Sequence, residues 1–407
     1  MSNRKGALLF FAANILLYLA SNFAHPVTPT FFQTLGLGDY MFGYAFAAMM
    51  TINFCFSPFW GKINGFISSK YSMFFACTGY AIAQFCFGIA KTELHVILAR
   101  MLAGIFTSGT FVSAANYVIN TSPEKDRGPN LAVIATIQSV ASAFGYFIGG
   151  MLGERSVLLA FMAQAGTLFT CGILFFFLME SDARIPLADL KIKTIAKEAN
   201  PFSAFLAGRR FMTFLLAIFF SVCMLQNLGQ IAFDQSFNYY IRDQFNFSSG
   251  YNGVIKALMG IVTLIANSTI CVFLMRKTDT RKSILYVFGL CTISMLAIVF
   301  IGSVVPFVVV NILFYGLSCV SIPLLQNMAA DNAKGADSNL IMGFYNAVRS
   351  LGGIIGALFA GTLYTMSPKY PFVCSFISFA LATLCAWLFS IKTTSASAQV
   401  QTSPASQ

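Results

Sequence analysis

Long apolar runs, separated by short polar connections, follow one another along the whole chain. A helix needs about 20 apolar residues to cross a bilayer, and twelve runs are of suitable length. They lie at 7–32, 40–60, 71–90, 94–119, 130–152, 156–179, 210–241, 250–274, 283–303, 305–329, 339–365 and 371–391. Strands of a membrane barrel would be about ten residues long and alternate in polarity, which these runs do not. The pattern predicts an all-α integral membrane protein with twelve transmembrane helices, numbered here as spans 1–12.

The composition supports this prediction and argues against soluble classes of protein. The 407 residues are 57% hydrophobic and 10% charged, with a mean hydropathy of +0.75, whereas a soluble domain carries about 25% charged residues. The sequence has no HExxH, GxSxG or Walker motif, so we expect neither an enzyme nor a cofactor. The 10 cysteines lie in apolar runs without CxxC spacing, which predicts buried hydrophobic side chains and no metal site.

Basic residues are distributed asymmetrically about the predicted spans. With both termini cytoplasmic, 18 of the 25 Lys and Arg fall in cytoplasmic segments, 4 in outer loops and 3 inside spans. Cytoplasmic loops carry this excess, so the net charge of +11 reflects topology and not nucleic-acid binding. We expect a multi-pass protein of the cell membrane, in a bacterium the cytoplasmic membrane. The first run is too long for a signal peptide and predicts span 1.

A polar stretch at 181–209 separates six spans from six. It predicts an N-terminal bundle at 1–180, a cytoplasmic linker, a C-terminal bundle at 210–391 and a disordered cytoplasmic tail at 392–407. The two halves share a weak repeat with an offset of 207 residues: Arg127, Gly128, Gly145 and Gly149 correspond to Lys334, Gly335, Gly352 and Gly356. Two parallel six-helix repeats with a substrate site between them are a known transporter design. We therefore predict two pseudo-symmetric six-helix bundles.

Several local motifs carry a resemblance to a known family. They are the turn Pro123–Gly128 (PEKDRG), Arg100 with Gly104, the stretch Gly145–Gly150 (GYFIGG), the loop from Gly61 and Lys62, and Asp279 with Arg281. These segments resemble, in turn, the Pro-x-x-x-Arg-Gly turn, the Arg-x-x-x-Gly pattern, the antiporter signature and the two Asp-Arg loops of the major facilitator superfamily. Tyr146 stands where the antiporter signature has Pro, and Gly65 where the first loop has Asp.

This resemblance covers essentially the whole chain and implies a secondary transporter in which spans 1, 4, 7 and 10 line a cavity. The motif GYFIGG in span 5 is similar to that of drug–proton antiporters, whereas FDQSFNYY in span 7 is similar to the sugar–proton symporter branch. Glycines at close helix contacts would let the two halves move against each other or would simply allow packing. The candidates are Gly104, Gly145, Gly149, Gly150, Gly352 and Gly356.

Polar and aromatic residues recur at helical spacing in the spans that the resemblance assigns to the cavity. Such stripes occupy one helix face, and polar groups in a bilayer usually face a cavity or another helix. The candidate cavity residues are Asn14, Tyr18, Asn22, Phe111, Gln226, Gln230, Phe233, Phe237, Asn238, Asn311, Tyr315, Asn346 and Arg349. The alternative for each Asn or Gln is a hydrogen bond between helices, and for most Phe it is contact with lipid.

Four ionisable residues, on four different spans, are predicted to lie at a similar depth in the outer half of the membrane. They are Asp234, His25, Arg100 and Lys256. A carboxylate in this setting can load and release a proton as access alternates. A pair such as His25 with Asp234 can instead form an outer gate, or a static ion pair that only neutralises buried charge. All three hypotheses remain open at this point.

Arg349 is predicted near the middle of the membrane, with no acid close to it in the sequence. It would hold an anionic group of a substrate, or bond backbone carbonyls at a helix interface. Because positive residues outnumber acids within the spans, the sequence favours neutral or anionic substrates over lipophilic cations.

The most direct hypothesis is proton-coupled efflux of amphipathic small molecules by a monomer. The alternative is a proton symporter that imports a sugar or a small organic anion. A uniporter without proton coupling is also compatible with the sequence.

Overall fold

The computed structural model describes residues 4–182, 199–332 and 338–402. Within these ranges every regular element is a helix. Ten of the described helices are long and apolar enough to cross a membrane. The two remaining predicted spans are also helical: Arg4–Ala20 is shorter, and Ser69–Gly88 contains polar residues that lower its hydropathy. The all-α architecture and the positions of the twelve spans are therefore as predicted.

The bounds of the helices follow the apolar runs closely. Span 1 comprises Arg4–Ala20 and Thr28–Thr34, and spans 2–6 are Met41–Ile63, Ser69–Gly88, Glu93–Thr121, Glu124–Arg155 and Val157–Leu178. Spans 7–12 are Phe214–Asp243, Ser249–Lys277, Thr280–Phe300, Val304–Asn332, Ser338–Met366 and Tyr370–Thr402. Span 8 contains one π-helical segment, Asn267–Cys271.

Span 1 differs from the continuous helix that the run at 7–32 predicts. The first helix ends at Ala20, residues 21–27 form turns, and a short helix begins at Thr28. Pro26 lies in this interruption, where it has no N–H to donate and its ring excludes a helical bond to the carbonyl four residues earlier. Hydropathy averaged over the run does not register this loss, because the residues on either side of the interruption are apolar.

Contacts divide the chain into two compact units. Unit 1 contains Met1–Pro201 and Phe237–Ile261, and unit 2 contains Phe202–Ser236 and Val262–Gln407. Unit 1 thus combines the first six spans with the end of span 7 and the start of span 8. By the predicted topology, these parts of spans 7 and 8 are their outer ends. The predicted domain boundary at 181–209 does not anticipate this grouping.

Unit 1 is built around spans 1, 3, 4 and 6. Their buried side chains form one continuous apolar core that includes Phe10, Tyr18, Cys77, Leu168 and Phe175. Span 5 packs on span 1 through two glycines. A Cβ atom on Gly145 would overlap the carbonyl oxygen of Leu19, and one on Gly149 would overlap that of Phe23.

Unit 2 uses aromatic packing and repeats the same glycine contacts. Phe314 lies 4.6 Å from Phe233 and 5.3 Å from Phe379, measured between ring centroids. A Cβ atom on Gly352 would overlap the Met224 carbonyl oxygen, and one on Gly356 would overlap that of Leu228. Span 11 therefore packs on span 7 as span 5 packs on span 1, which is the repeat that the glycine spacing predicts. Lys334 and Gly335 lie outside the described residues.

The described ends of the linker are anchored to nearby spans. Asp182 is buried against the start of span 3, and a short helix, Ser203–Gly208, packs on span 11 with Phe205 5.4 Å from Phe344. Residues 183–198 lie outside the described part. The last helix continues to Thr402, past the point at which the sequence predicts a disordered tail. Alanine and glutamine in this segment favour a helix, although the segment as a whole is not apolar.

Large apolar side chains cover the outside of the described chain. Phe177 is 77% exposed and Phe300 79% exposed, and many other Leu, Ile and Phe side chains of the spans are exposed as well. Such a surface is incompatible with water and typical of contact with lipid. The protein is therefore a multi-pass membrane protein.

Candidate functional site

The interruption in span 1 offers backbone carbonyls to other spans of unit 1. The Ser21 carbonyl oxygen accepts hydrogen bonds from Gln164 Nε2 at 3.0 Å and from Tyr80 Oη at 3.4 Å. Carbonyls in a broken membrane helix need partners from elsewhere, because lipid supplies none. Side chains of spans 3 and 6 thus fix the conformation of this segment.

The end of span 7 and the start of span 8, which are outer ends in the predicted topology, bond the same segment. Asn238 Nδ2 donates to the His25 carbonyl oxygen at 2.9 Å. Asn252 Nδ2 donates to Asn238 Oδ1 and lies 3.5 Å from the Pro26 carbonyl oxygen. We call this set, Asn238 and Asn252 with the carbonyls of His25 and Pro26, the outer contact. It connects the two halves of the sequence within unit 1.

Further polar bonds surround the outer contact. Arg242 Nε donates to Gln33 Oε1 at 3.1 Å. Tyr239 Oη donates to Asp39 Oδ1 at 2.6 Å, and its ring stacks on Phe42 at 4.7 Å. These residues join the end of span 7 to the connection between spans 1 and 2.

Spans 5 and 8 approach closely on the same side of unit 1. A Cβ atom on Gly150 would lie 2.5 Å from the Ser249 carbonyl oxygen and 3.1 Å from the Gly253 Cα atom. Glu154 Oε1 accepts a hydrogen bond from the Gly250 backbone N–H at 2.6 Å, at the N-terminus of span 8, where a carboxylate is favourable. Gly150 is thus the predicted packing glycine that connects the two halves of the sequence, whereas the glycines at 145 and 149 act within the first half.

Three of the four predicted ionisable residues come together in unit 1. The His25 ring stacks on Tyr146 at 5.3 Å, and Lys256 Nζ lies 5.7 Å from the centroid of the same tyrosine ring. Arg100 is 5% exposed and lies over the Phe87 ring at 5.0 Å. Arg100 and Lys256 both lie close enough to His25 to act on it electrostatically. Tyr146 is therefore central to this cluster, and the sequence marked it only as a departure from the family motif.

Asp234, the fourth ionisable residue, belongs to unit 2. Its Oδ2 accepts a hydrogen bond from Gln230 Nε2 at 3.1 Å. One turn before Gln230, Gln226 is fully buried, and neither polar atom of its side chain has a hydrogen-bond partner among the described residues. A buried amide without partners is costly, so a ligand that bonded Gln226 would relieve that cost.

Two predicted cavity aromatics lie in the packed interior. Phe233 is fully buried in the aromatic cluster of unit 2 and lies 6.3 Å from Tyr315. Phe237 is also fully buried, in unit 1, with Lys256 Nζ 5.2 Å from its ring centroid. Neither ring forms an open cavity wall in this conformation. Helical spacing does not distinguish such packing from a cavity face.

The other predicted cavity residues have varied surroundings. Tyr18 stacks on Phe111 at 5.9 Å, and Asn22 Nδ2 donates to Ser142 Oγ of span 5 at 3.0 Å. Asn346 is exposed. Asn14 and Asn311 donate to carbonyls four residues earlier, at 2.8 and 2.6 Å, and each retains a buried Oδ1 without a partner among the described residues.

Arg349 is held by neutral groups of unit 2. Its Nη1 lies 3.4 Å from Tyr345 Oη, and its Nη2 lies 3.5 Å from Asn227 Oδ1. Asn227 Nδ2 donates in turn to the Arg349 carbonyl oxygen at 2.6 Å. The Nε atom is buried and has no hydrogen-bond partner in the described part of the chain. The contacts of the guanidinium are therefore with side chains and not with backbone carbonyls.

The predicted cytoplasmic loops contain a capping site that the sequence did not reveal. Asp182 accepts hydrogen bonds from the Ser69 backbone N–H at 2.6 Å, from Ser68 Oγ at 2.8 Å and from Asn120 Nδ2 at 3.1 Å. This carboxylate caps the N-terminus of span 3 and connects it to span 4. Two serines before an apolar run signal a helix start, but they do not indicate the distant acid.

The loop residues that match the family motifs lie mostly at the surface. Gly61 and Lys62 are exposed, and Arg127 is half-buried with an unbonded Nε atom among the described residues. Asp279 Oδ1 accepts a hydrogen bond from the Arg281 backbone N–H at 3.0 Å and so caps span 9. Gly104 is tightly packed, since its Cβ atom would overlap the Met49 carbonyl oxygen.

The geometry is that of a helical membrane protein with two repeated units and ionisable side chains inside its spans. The Major Facilitator Superfamily model matches residues 10–357. The chain therefore belongs to the major facilitator superfamily. This membership indicates a membrane transporter of small molecules.

Related proteins cover nearly the full length of the chain. Multidrug resistance protein 1 of Bacillus subtilis (strain 168) is 22% identical over 383 residues, which are 94% of this chain and 95% of that protein. The class H tetracycline resistance protein of Pasteurella multocida is 22% identical over 90% of each chain. The crystal structure of the human organic anion transporter MFSD10 (TETRAN) has a TM-score of 0.66 and 18% identity, covering 95% of this chain and 99% of that one. The structural likeness shows the fold.

Proposed function

We propose that this protein is a proton-coupled transporter that exports amphipathic small molecules by alternating access. The observation that carries the proposal is the outer contact, in which the ends of spans 7 and 8 bond the interruption in span 1. The full-length relatives named for multidrug and tetracycline resistance support efflux of drug-like substrates.

The outer contact has the strength that a gate requires. Its bonds join neutral amides and carbonyls, and hydrogen bonds between membrane helices contribute about 0.6 kcal/mol each on average. Coupling free energies between ligand sites are typically about 1–3 kcal/mol. Binding of a substrate or a proton can therefore offset the loss of these few bonds. A fully charged, desolvated interface would cost considerably more to open.

Asp234 is the proposed coupling residue, because it is an acid placed well within a predicted span. A charged carboxylate is costly inside a membrane, and in the proposed cycle this residue carries the coupled proton. Release follows when access changes to the other side. His25, in the cluster with Tyr146 in unit 1, is a second candidate for proton coupling.

Inside-out vesicles provide the test. They are energised to form a pH gradient, a fluorescent dye reports that gradient, and amphipathic drugs, sugars and organic anions are added in turn. We expect amphipathic compounds to release protons in vesicles with the wild-type protein and not with Asp234→Asn. Asp331→Asn, which neutralises an exposed carboxylate at the end of span 10, is the matched control and should behave as the wild type does.

The outcomes separate the candidate functions. Proton release that persists in Asp234→Asn would retain antiport and remove Asp234 from the coupling path. No release with any compound would contradict the efflux proposal. Proton-driven uptake of a sugar or a small anion in whole cells would then identify a symporter instead.

A further inference from the structure

Arg349 is a cation whose charge is poorly compensated by its described contacts. It lies about 16 Å from the start of span 11, at 1.5 Å per residue, and therefore near the middle of the membrane. An arginine at this depth is costly unless its charge is compensated. Its two polar contacts, at 3.4 and 3.5 Å, are longer than good hydrogen bonds. They position the side chain without neutralising its charge.

The charge of a second cation of unit 2, Lys369, is compensated by backbone carbonyls. Lys369 Nζ donates to the carbonyl oxygens of Ile298 and Ile301 at 2.9 and 2.7 Å. These are short charge-assisted bonds at the end of span 9. Arg349 makes no such bond among the described residues, and its contacts there are to the Tyr345 hydroxyl and the Asn227 amide.

Arg349 also remains accessible and fixed in position. The side chain is partly exposed, while its Tyr345 neighbour is 1% exposed and lies with its ring 5.5 Å from the guanidinium carbon. Asn227, on span 7, holds the Arg349 backbone through the bond to its carbonyl oxygen. A planar guanidinium held in this way is suited to bidentate bonds with a carboxylate or sulfonate.

We propose that Arg349 binds an anionic group of the transported molecule, so that the substrates are amphipathic organic anions. The inference rests on the proposed export function and specifies its substrate class. The partly exposed Arg349 side chain supplies the donors through its terminal nitrogens. Lipid headgroups are not the expected ligand, because they lie at the membrane surface.

Two xanthene dyes of opposite charge provide matched probes: carboxyfluorescein, an anion, and rhodamine 6G, a cation. Binding is measured by fluorescence anisotropy with full-length protein in nanodiscs of zwitterionic lipid. We expect the wild type to bind carboxyfluorescein more tightly than rhodamine 6G. Arg349→Gln should weaken carboxyfluorescein binding at least tenfold and leave rhodamine 6G binding unchanged. The carboxyfluorescein affinity of Arg349→Lys should lie between those of the wild type and Arg349→Gln, because lysine retains the charge but cannot form the bidentate bonds of a guanidinium.

Two controls distinguish loss of the anion site from misfolding of the variant. Arg276→Gln removes an exposed cation at the end of span 8 and should leave the affinities for both dyes unchanged. Elution volume and melting temperature of each variant are measured in parallel. If Arg349→Gln does not fold, the weaker carboxyfluorescein binding of Arg349→Lys decides the question.

The inference and the proposed function fail in different ways. Preference of the wild type for rhodamine 6G, absence of carboxyfluorescein binding, or unchanged binding in the Arg349 variants would overturn the inference. Proton release on adding rhodamine 6G would at the same time retain the export function. Arg349-dependent carboxyfluorescein binding without proton release by any compound would retain the anion site and contradict proton-coupled export.

Discussion

Amides, rather than charged groups, hold the outer contact together. Asn238 and Asn252 bond each other and two carbonyls of span 1. A neutral amide makes directional bonds without the large desolvation cost of an ion pair. The strength of the contact therefore depends on single side chains, and individual substitutions should change the equilibrium between its closed and open states.

Asn252→Ala should weaken the outer contact. It removes the bonds to Asn238 and Pro26, and losses of about 0.6–1.7 kcal/mol would favour the open state roughly 3- to 15-fold. The readout is the rate at which a membrane-impermeant maleimide labels a cysteine at Ser249, which is 7% exposed, in a background without the native cysteines. We expect faster labelling. Asn332→Ala removes an amide that bonds within its own helix and is the control. Equal labelling rates in both variants would show that the contact does not gate access.

The sequence identified which residues are polar within the membrane, but not what they bond. Asn22, Asn238 and Lys256 were recognised because intramembrane polar groups stand out against apolar runs. Some of their partners are far away in the chain: Asn22 bonds Ser142, 120 residues later, and Asn238 bonds a carbonyl 213 residues earlier. No periodicity in the sequence encodes such a pair. Backbone carbonyls, which are the acceptors here, are also identical at every position and carry no sequence signal.

Helix positions were predictable because membrane helices must be long and apolar, and this requirement is visible in composition. The interruption at 21–27 was not predicted, since it depends on one proline in an apolar context. The pseudo-symmetry was predictable from glycine spacing because close helix contacts tolerate only the smallest residue. The structure gives the reason: the paired glycines of spans 5 and 11 face carbonyls of spans 1 and 7.

Glycine contacts between spans 1 and 5 should be sensitive to a single methyl group. Gly149→Ala would place a Cβ atom on the Phe23 carbonyl oxygen, and such overpacking typically costs about 1–3 kcal/mol. We expect a lower melting temperature in detergent. Gly166→Ala is the matched control, because nothing lies within 4 Å of its Cβ position and surface changes stay within about 0.5 kcal/mol. The same melting temperature for both variants would contradict the packing described here.

The Asp182 cap should stabilise the start of span 3. Asp182→Asn retains the size of the side chain but removes the negative charge that four donors share. Loss of such a cap costs about 0.5–2 kcal/mol. Hydrogen exchange at the amides of 69–73 should accelerate. Asp279→Asn, at an exposed cap with one bond, should have a smaller effect on span 9. Unchanged exchange in Asp182→Asn would show that the charge is dispensable.

For the whole protein, the proposed alternating access requires that the outer contact within unit 1 breaks during transport. Spans 1–6 share this unit with the outer ends of spans 7 and 8. In an alternating-access transporter, these ends separate from the first half of the sequence whenever the outer side opens. A rigid structural contact would instead persist throughout the cycle. Reversible cross-linking across the contact distinguishes these two cases.

The most direct measurement is therefore transport with the contact locked. Gln33→Cys and Arg242→Cys, whose side chains are now 3.1 Å apart, are joined by a short bis-thiosulfonate cross-linker, which forms reducible disulfides with both cysteines, in a background without native cysteines. We predict that cross-linking abolishes substrate-dependent proton release and that a reductant restores it. The pair Tyr40→Cys and Glu93→Cys, 2.7 Å apart within the first half, should be cross-linked without effect. Full transport with Gln33→Cys and Arg242→Cys still joined would contradict the account.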